Sequence, residues 1–238
     1  MPNQRHRLSV LVLGARGMLG HMLVRVLSVQ HDVYGTSSAR HDDAPSFRNV
    51  LPKENWVDQL DVGNWFEGTP GVKLLSDTPN ASGIYGTTKK LGEVDSGQAL
   101  TLRTGFVGRQ LSGSEGLFEW VYSQRGKSIT GFRNAIYSGL TTMALARVIQ
   151  QVIQFNELLT GLYQVASEPI SKFDLITRLN VLWDLGLTIT PDSTFVCDRS
   201  LDGSSFCKAT NITIPSWDEM LAEFVKDGSW YTKIRGNR

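Results

Sequence analysis

The stretch "LSVLVLGARGMLG", residues 8–20, decides how the rest of the chain is read. The apolar run from Leu8 to Leu13 is broken only by Ser9 and ends on a glycine, as expected of a parallel strand covered on both faces. Glycines then fall at 14, 17 and 20, while Met18, Leu19, Met22, Leu23, Val26 and Leu27 recur at helical spacing. In a chain with 23 glycines the spacing G-x-x-G-x-x-G carries little weight alone, and a purely structural turn would show it too. Between a strand and an amphipathic helix it carries more. There Gly14 permits the tight turn, Gly17 lets the backbone approach a pyrophosphate, and Gly20 lets the helix pack close to the sheet. The helix N-terminus turns its N–H groups to the anion, so the stretch points to a dinucleotide.

Working outward, "HDVYGTSS" (31–38) predicts a second short strand stopped by Gly35. An acidic residue at its end would hold a ribose 2′-hydroxyl and repel a 2′-phosphate. The sequence offers Tyr34, Gly35, Thr36, Ser37, Ser38, Ala39 and Arg40, with no carboxylate before Asp42. The hydroxyls of Thr36 and Ser37, with Arg40 and with Arg16 from the glycine stretch, suit a phosphate, so NADP is favoured over NAD. Arg40 by itself is equally an ordinary loop charge.

The bulk composition agrees with a globular enzyme-sized chain. With 238 residues, 41% apolar and 20% charged, it can bury one large domain or a domain with a smaller lobe. A formal charge of +1 disfavours nucleic acid and anionic membrane as partners. Basic residues precede the apolar opening run, but it leads straight into glycines without a small-residue cleavage pattern, and no run reaches membrane-span length. Cys197 and Cys207 make neither a disulfide framework nor a zinc site; no metal is expected, and reduced thiols of a cytoplasmic protein are the default.

Residues 36–84 are poor in pattern, loop-like to Arg48 with a strand near Trp56–Val62. "QALTLRTGFVG" (98–108) reads as a buried strand and its loop, 141–155 as an amphipathic helix, and "GLYQVAS" (161–167) as a further strand. Ser171 and Asp174 resemble a capping box opening a helix to about Leu185; Ser216 and Glu219 open the last one. Strands alternating with helices give an α/β fold.

In "GIYGTTKKLGE" (83–93), Tyr85 and Lys89 are four residues apart, hence on one face of a helix. A nearby ammonium favours the phenolate and brings a phenol toward the working range of a proton donor. Tyr85 could then protonate a carbonyl oxygen as hydride reaches its carbon. Alone, the pair reads as a solvated turn; behind a nucleotide-binding glycine loop the balance shifts to catalysis.

Taken together, "VLVLGARGMLG", "YGTTKKLGEV", "LTLRTGFVGR", "SGLTTMALARVI", "GLYQVASEPISKFDLI" and "CDRSLD" resemble the extended short-chain dehydrogenases, in particular the dTDP-4-dehydrorhamnose reductase group of sugar-nucleotide reductases. The resemblance spans nearly the whole chain in order. It implies a Rossmann-like, doubly wound parallel sheet over residues 1–166, with about 109–135 contributing to the small substrate-binding lobe of residues 167–238. It implies NADPH-dependent reduction (NADH in second place) of a 4-keto nucleotide sugar, with Tyr85 as proton donor and Lys89 holding the nicotinamide ribose. Gly14, Gly17 and Gly20, with the backbone of Met18 and Leu19, would cradle the pyrophosphate. Asp61-Val62 would lie beside the adenine, and the loop after "LTLRT", from Thr104, would flank the nicotinamide.

One departure stands out. A parallel strand plus crossover takes roughly 25–30 residues, so residues 36–84 hold one more strand or two, where the family pattern asks for three before its tyrosine helix. Strands four and five are therefore expected to be missing, and with them the Ser/Thr that would hydrogen-bond the substrate carbonyl. Exposed sheet edges would follow, to be covered by re-pairing of the remaining strands or by a partner chain, as in a homodimer, or else left open in an internally deleted chain of reduced stability. A catalytically impaired nucleotide-binding or regulatory module on the same scaffold is the alternative function.

Overall fold

The structure is a computed structural model that describes residues 7–37, 49–56, 93 and 98–235. Strand β1 (Ser9–Leu13) pairs in parallel with β2 (Asp32–Thr36), in register from Ser9 with Asp32 to Leu13 with Thr36. Helix α1 (Gly20–Leu27) connects them, so the chain opens with the expected strand–turn–helix–strand unit. Gly35 does not stop β2; it lies inside it. A methyl group there would come within 2.8 Å of Ala15 Cβ and 2.7 Å of Leu51 Cδ2, so the glycine serves a close approach of neighbouring segments. Trp56 follows a 3-10 turn at Lys53–Asn55 and makes an isolated parallel bridge to Gly35, continuing the sheet on the far side of β2. The rest of the strand expected there, 57–62, lies outside the described residues.

Further along, β3 (Leu100–Arg103) pairs in parallel with β7 (Gly161–Gln164), and β4 (Phe106–Val107) with β6 (Leu140–Thr141). A third group, in the order β8-β5-β9, joins β5 (Ser128–Tyr137) to β8 (Ile170–Ser171) antiparallel and to β9 (Thr188–Arg199) parallel. Among the described residues β1 has only β2 as a partner and β3 only β7. The expected shortfall of two central strands concerns residues 57–97, of which only Glu93 is described.

The helices begin where side chains can satisfy their first N–H groups. Thr141 caps α3 (Thr142–Phe155), its hydroxyl accepting from Ala144 N; Ser171 caps α4 (Lys172–Leu182), accepting from Asp174 N at 2.9 Å. Helix α4 is three residues shorter than its pattern suggests. Asp184 takes a positive φ of 48°, and the Asn180 amide bonds both the N–H and the carbonyl of Leu187, turning the chain back. Helices α2 (Leu117–Ser123) and α5 (Ser204–Thr210) are short. The last helix, α6 (Trp217–Arg235), opens on the reciprocal box expected: Ser216 N–H donates to Glu219 Oε2 at 2.8 Å, and Ser216 Oγ accepts from Glu219 N.

Helix α6 serves two cores. Met220, Leu221 and Phe224 enter the larger one, with Phe118, Leu145 and Leu175. Two turns later Tyr231 is wholly buried in the smaller one, with Val12, Ala15, Met22 and Val33. A buried phenol needs a partner for its hydroxyl. Tyr231 Oη lies 2.6 Å from Nε2 of His21, also wholly buried, on α1. Around this pair Arg25 makes a bidentate ion pair with Asp227, at 2.9 and 2.6 Å, and stacks 3.6 Å over the Trp230 ring. The last turn is fixed by Arg235, which donates to Glu119 and to the Gln110 carbonyl; Glu119 also pairs with buried Arg109.

Two outcomes are expected. Ser216→Ala should lower unfolding free energy by about 1 kcal/mol in urea melts, the usual worth of an N-cap. Burial pulls the His21 imidazole from its usual 6.5 down to about 4, opposed in part by its bond to Gly17. The folded protein therefore keeps His21 neutral while the unfolded chain protonates it, and stability falls as pH drops from 6.5 through about 4. The loss attributable to His21 is of order 3 kcal/mol, and the difference between wild type and His21→Asn in urea melts across that range reads it. Parallel curves would refute it.

Candidate functional site

At the carboxyl end of β1 the chain turns through Gly14, whose φ of 72° lies in the region that favours glycine. Gly17 N–H donates back to the Gly14 carbonyl at 2.9 Å, and Ala15 N–H to the Thr36 carbonyl at 2.8 Å, so the turn is pinned to the end of β2. At Gly20 a methyl group would overlap the Gly14 carbonyl oxygen and come within 2.9 Å of Ala15 Cα. The third glycine thus lets α1 close down on its own turn.

Gly14 and Gly17 are exposed, Arg16, Met18 and Leu19 half-buried, and Ala15 and Gly20 buried. The N–H groups of Met18 and Leu19 find no backbone acceptor among the described residues, the usual condition of a helix start, and no side chain caps α1. Such donors, with the positive end of α1 behind them, can hold an anion.

The end of β2 and the segment after β3 lie beside the loop. Thr36 is the last residue of β2 and is buried; Ser37 follows it, half-buried. The segment after β3 comes close: a methyl group on Gly116 would lie 2.7 Å from Met18 Cε and 3.9 Å from the Gly108 carbonyl oxygen. Thr104 stands at the head of that segment, its hydroxyl bonded to the Gly105 carbonyl at 3.1 Å. The ring of Tyr137 fills the space where Gly105 and Gly139 lack side chains, and burial pushes its phenol above the usual range. Leu140 N–H donates to the Gly105 carbonyl, fastening the segment to β6.

Arg40, Asp61, Val62, Tyr85 and Lys89 lie outside the described residues. Glu93, eight residues past Tyr85, is described: it makes a bidentate ion pair with Arg103 at the end of β3, at 2.6 and 2.8 Å with both side chains largely buried. The pair raises the Arg103 guanidinium above its usual range through Glu93. The chain leaving the tyrosine–lysine stretch is thereby tied to the strand that precedes Thr104. His21 was passed over in the sequence; its place one residue after the third glycine, four after Gly17, is the signal that could have singled it out. Among the described residues no cluster of His, Cys, Asp or Glu is arranged to hold a metal ion, and no helix is long and apolar enough to cross a membrane.

No protein-family model matches the sequence, and no curated protein does. Solved structures do. A hypothetical dTDP-4-dehydrorhamnose reductase from Sulfolobus tokodaii is similar with a TM-score of 0.55 at 22% identity, over 88% of this chain and 96% of its own. The dTDP-4-dehydrorhamnose reductase of Bacillus anthracis, solved in complex with NADP, gives 0.62 at 17% identity over 93% of this chain and 100% of its own. The Bordetella bronchiseptica enzyme WbmG, solved in complex with NAD, gives 0.63 at 13% identity over 99% and 97%. The chain has the α/β fold of dTDP-4-dehydrorhamnose reductases and related Rossmann-fold nucleotide-sugar enzymes.

Proposed function

We propose that the chain binds NADPH, with NADH second, across the Gly14–Gly20 turn and reduces a 4-keto nucleotide sugar. The observation that carries the cofactor is the turn itself: exposed glycines at 14 and 17, and two N–H groups at the start of α1 that have no backbone acceptor among the described residues. Those donors fit a pyrophosphate, and Gly17 leaves room for it to approach. Arg16, Thr36, Ser37 and Arg40 are the groups at hand for a 2′-phosphate. The likeness to enzymes solved with NADP or NAD supports the same reading.

The reduced nicotinamide, when bound, supplies the hydride. Tyr85 gives its phenolic proton to the carbonyl oxygen of the sugar, and Lys89 stabilises the phenolate left behind and holds the nicotinamide ribose. Thr104 and the segment to Gly108 line the nicotinamide side, Asp61 and Val62 the adenine side. The sugar nucleotide lies between the glycine turn and the β8-β5-β9 lobe, with residues 167–238 as its main cover. The ion pair of Arg103 with Glu93 supports this arrangement by holding the end of the tyrosine stretch beside β3.

A second function class has support in the sequence: residues 36–84 are too few for the three strands the resemblance asks for before Tyr85, as in a chain that kept the nucleotide turn and lost catalytic parts. A non-catalytic nucleotide-binding or regulatory module would bind coenzyme and turn nothing over.

NADPH should quench the tryptophan fluorescence with saturation, and Gly20→Ala, which forces α1 off the turn, should weaken binding at least about tenfold. With a 4-keto-6-deoxy nucleotide sugar present, NADPH absorbance should fall, and Tyr85→Phe should abolish that loss while leaving coenzyme affinity within about threefold. Binding without turnover would favour the module; no binding of either coenzyme would end the proposal.

A further inference from the structure

Resting on the nucleotide reading of the glycine turn, we propose that Tyr231 and His21 are positioning residues: the last helix sets, through them, the peptide plane that presents Met18 N–H to the pyrophosphate. His21 Nδ1 lies 2.8 Å from the Gly17 carbonyl oxygen, which also accepts His21 N–H at 3.1 Å. A carbonyl oxygen only accepts, so Nδ1 carries the proton. Nε2 is then a lone pair, and Tyr231 Oη, 2.6 Å away, must be the donor. The direction of both bonds is thus fixed: Tyr231 O–H to His21 Nε2, and His21 Nδ1–H to Gly17 C=O.

The Gly17 carbonyl and the Met18 N–H belong to one planar trans peptide unit, on opposite sides of it. Drawing the carbonyl toward buried His21 therefore turns the N–H the other way, toward the exposed face of the turn. This peptide turns on ψ of Gly17 and φ of Met18, and Gly17, with no Cβ, restrains its own end of it little. The His21 backbone N–H draws the Gly17 carbonyl along the helix, and the imidazole adds a second, side-chain donor that sharpens its direction.

The imidazole is in turn held on every side. Trp230 stacks parallel to it at 6.2 Å between centroids, and the Tyr231 ring meets it edge-on at 5.6 Å. The charged groups facing it are Arg25 on its own helix and Asp227 and Arg235 on α6. Arg25 and Asp227 pair with each other, and Arg235 with Glu119, so none competes for the ring nitrogens. Burial keeps the ring neutral, with its pKa down to about 4, so the lone pair on Nε2 persists across neutral pH.

Three variants and two ligands test this. Tyr231→Phe keeps the ring and loses the donor. His21→Gln can mimic Nε2 but not Nδ1, whereas His21→Asn can mimic the Nδ1 donor. Affinities for NADPH and ADP, which carry a diphosphate, should fall about five- to tenfold in Tyr231→Phe and His21→Gln, and His21→Asn should recover most of the loss. Affinity for adenosine 2′-monophosphate, which has no diphosphate, should stay within about twofold in all three. Asp227→Asn, which loosens the same helix pair without touching these bonds, should lower the melting temperature but not the ADP affinity. Nitrogen NMR of wild-type His21 should report a proton on Nδ1 alone, a readout independent of any nucleotide and of variants that fail to fold. Unchanged ADP and NADPH affinity in Tyr231→Phe, an equal loss for adenosine 2′-monophosphate, or a proton on Nε2 would overturn the proposal. A wild type that binds neither NADPH nor ADP would instead overturn the nucleotide reading, and the relay's role with it.

Discussion

The closure of Gly20 onto the carbonyl of Gly14 is the constraint from which the opening unit follows. Without a side chain at position 20, α1 starts directly over the end of β1, and the bend between them leaves Gly14 and Gly17 exposed and Arg16, Met18 and Leu19 half-buried. That bend also fixes where β2 must end, because Ala15 N–H reaches the Thr36 carbonyl. A single methyl group would force the helix away from its strand, and the N–H groups at its start would lose their common direction.

What holds this unit against the rest of the molecule is the far end of the chain. Helix α6 is long enough to contribute to both cores, apolar at Met220, Leu221 and Phe224 and then aromatic and charged at Asp227, Trp230, Tyr231 and Arg235. The change in character follows the change in neighbour. Its first half meets the aliphatic and aromatic side chains of α2, α3 and α4, and its second half meets α1, which offers His21 and Arg25. A buried histidine and tyrosine and a half-buried arginine are tolerable there because each finds a partner in the other helix.

The sequence made the parts with short-range signals legible. An apolar run, three spaced glycines and a helical stripe defined β1 and α1; an amphipathic pattern defined α3, and serine caps defined α4 and α6. It failed where tertiary contacts override local chemistry. Gly35 looked like a stop and is instead a point of close approach to Ala15 and Leu51. The long strands β5 and β9 went unread because "SITGFRNAIY" and "TITPDSTFVCDR" lack clean alternation: no residue of β9 is fully buried, Gly131 makes room for Phe173, and Pro191 and Asp192 sit in the pairing itself. The glycine half of the candidate site could be read in advance because backbone geometry writes it into residue type. The His21–Tyr231 contact could not, since 210 positions separate its members and neither belongs to a spaced motif.

That separation bears on how the molecule comes into being on the ribosome. Chains are made from the N-terminus at a handful of residues per second, and segments generally fold once their contacts exist. Here the Gly14–Gly20 turn is made long before its partner, and its imidazole stays short of a donor until Tyr231, 210 positions later, has cleared the exit tunnel. Synthesis of the helix that carries Tyr231, and not of the strand Ser9–Leu13, is what gives the nascent protein a finished turn.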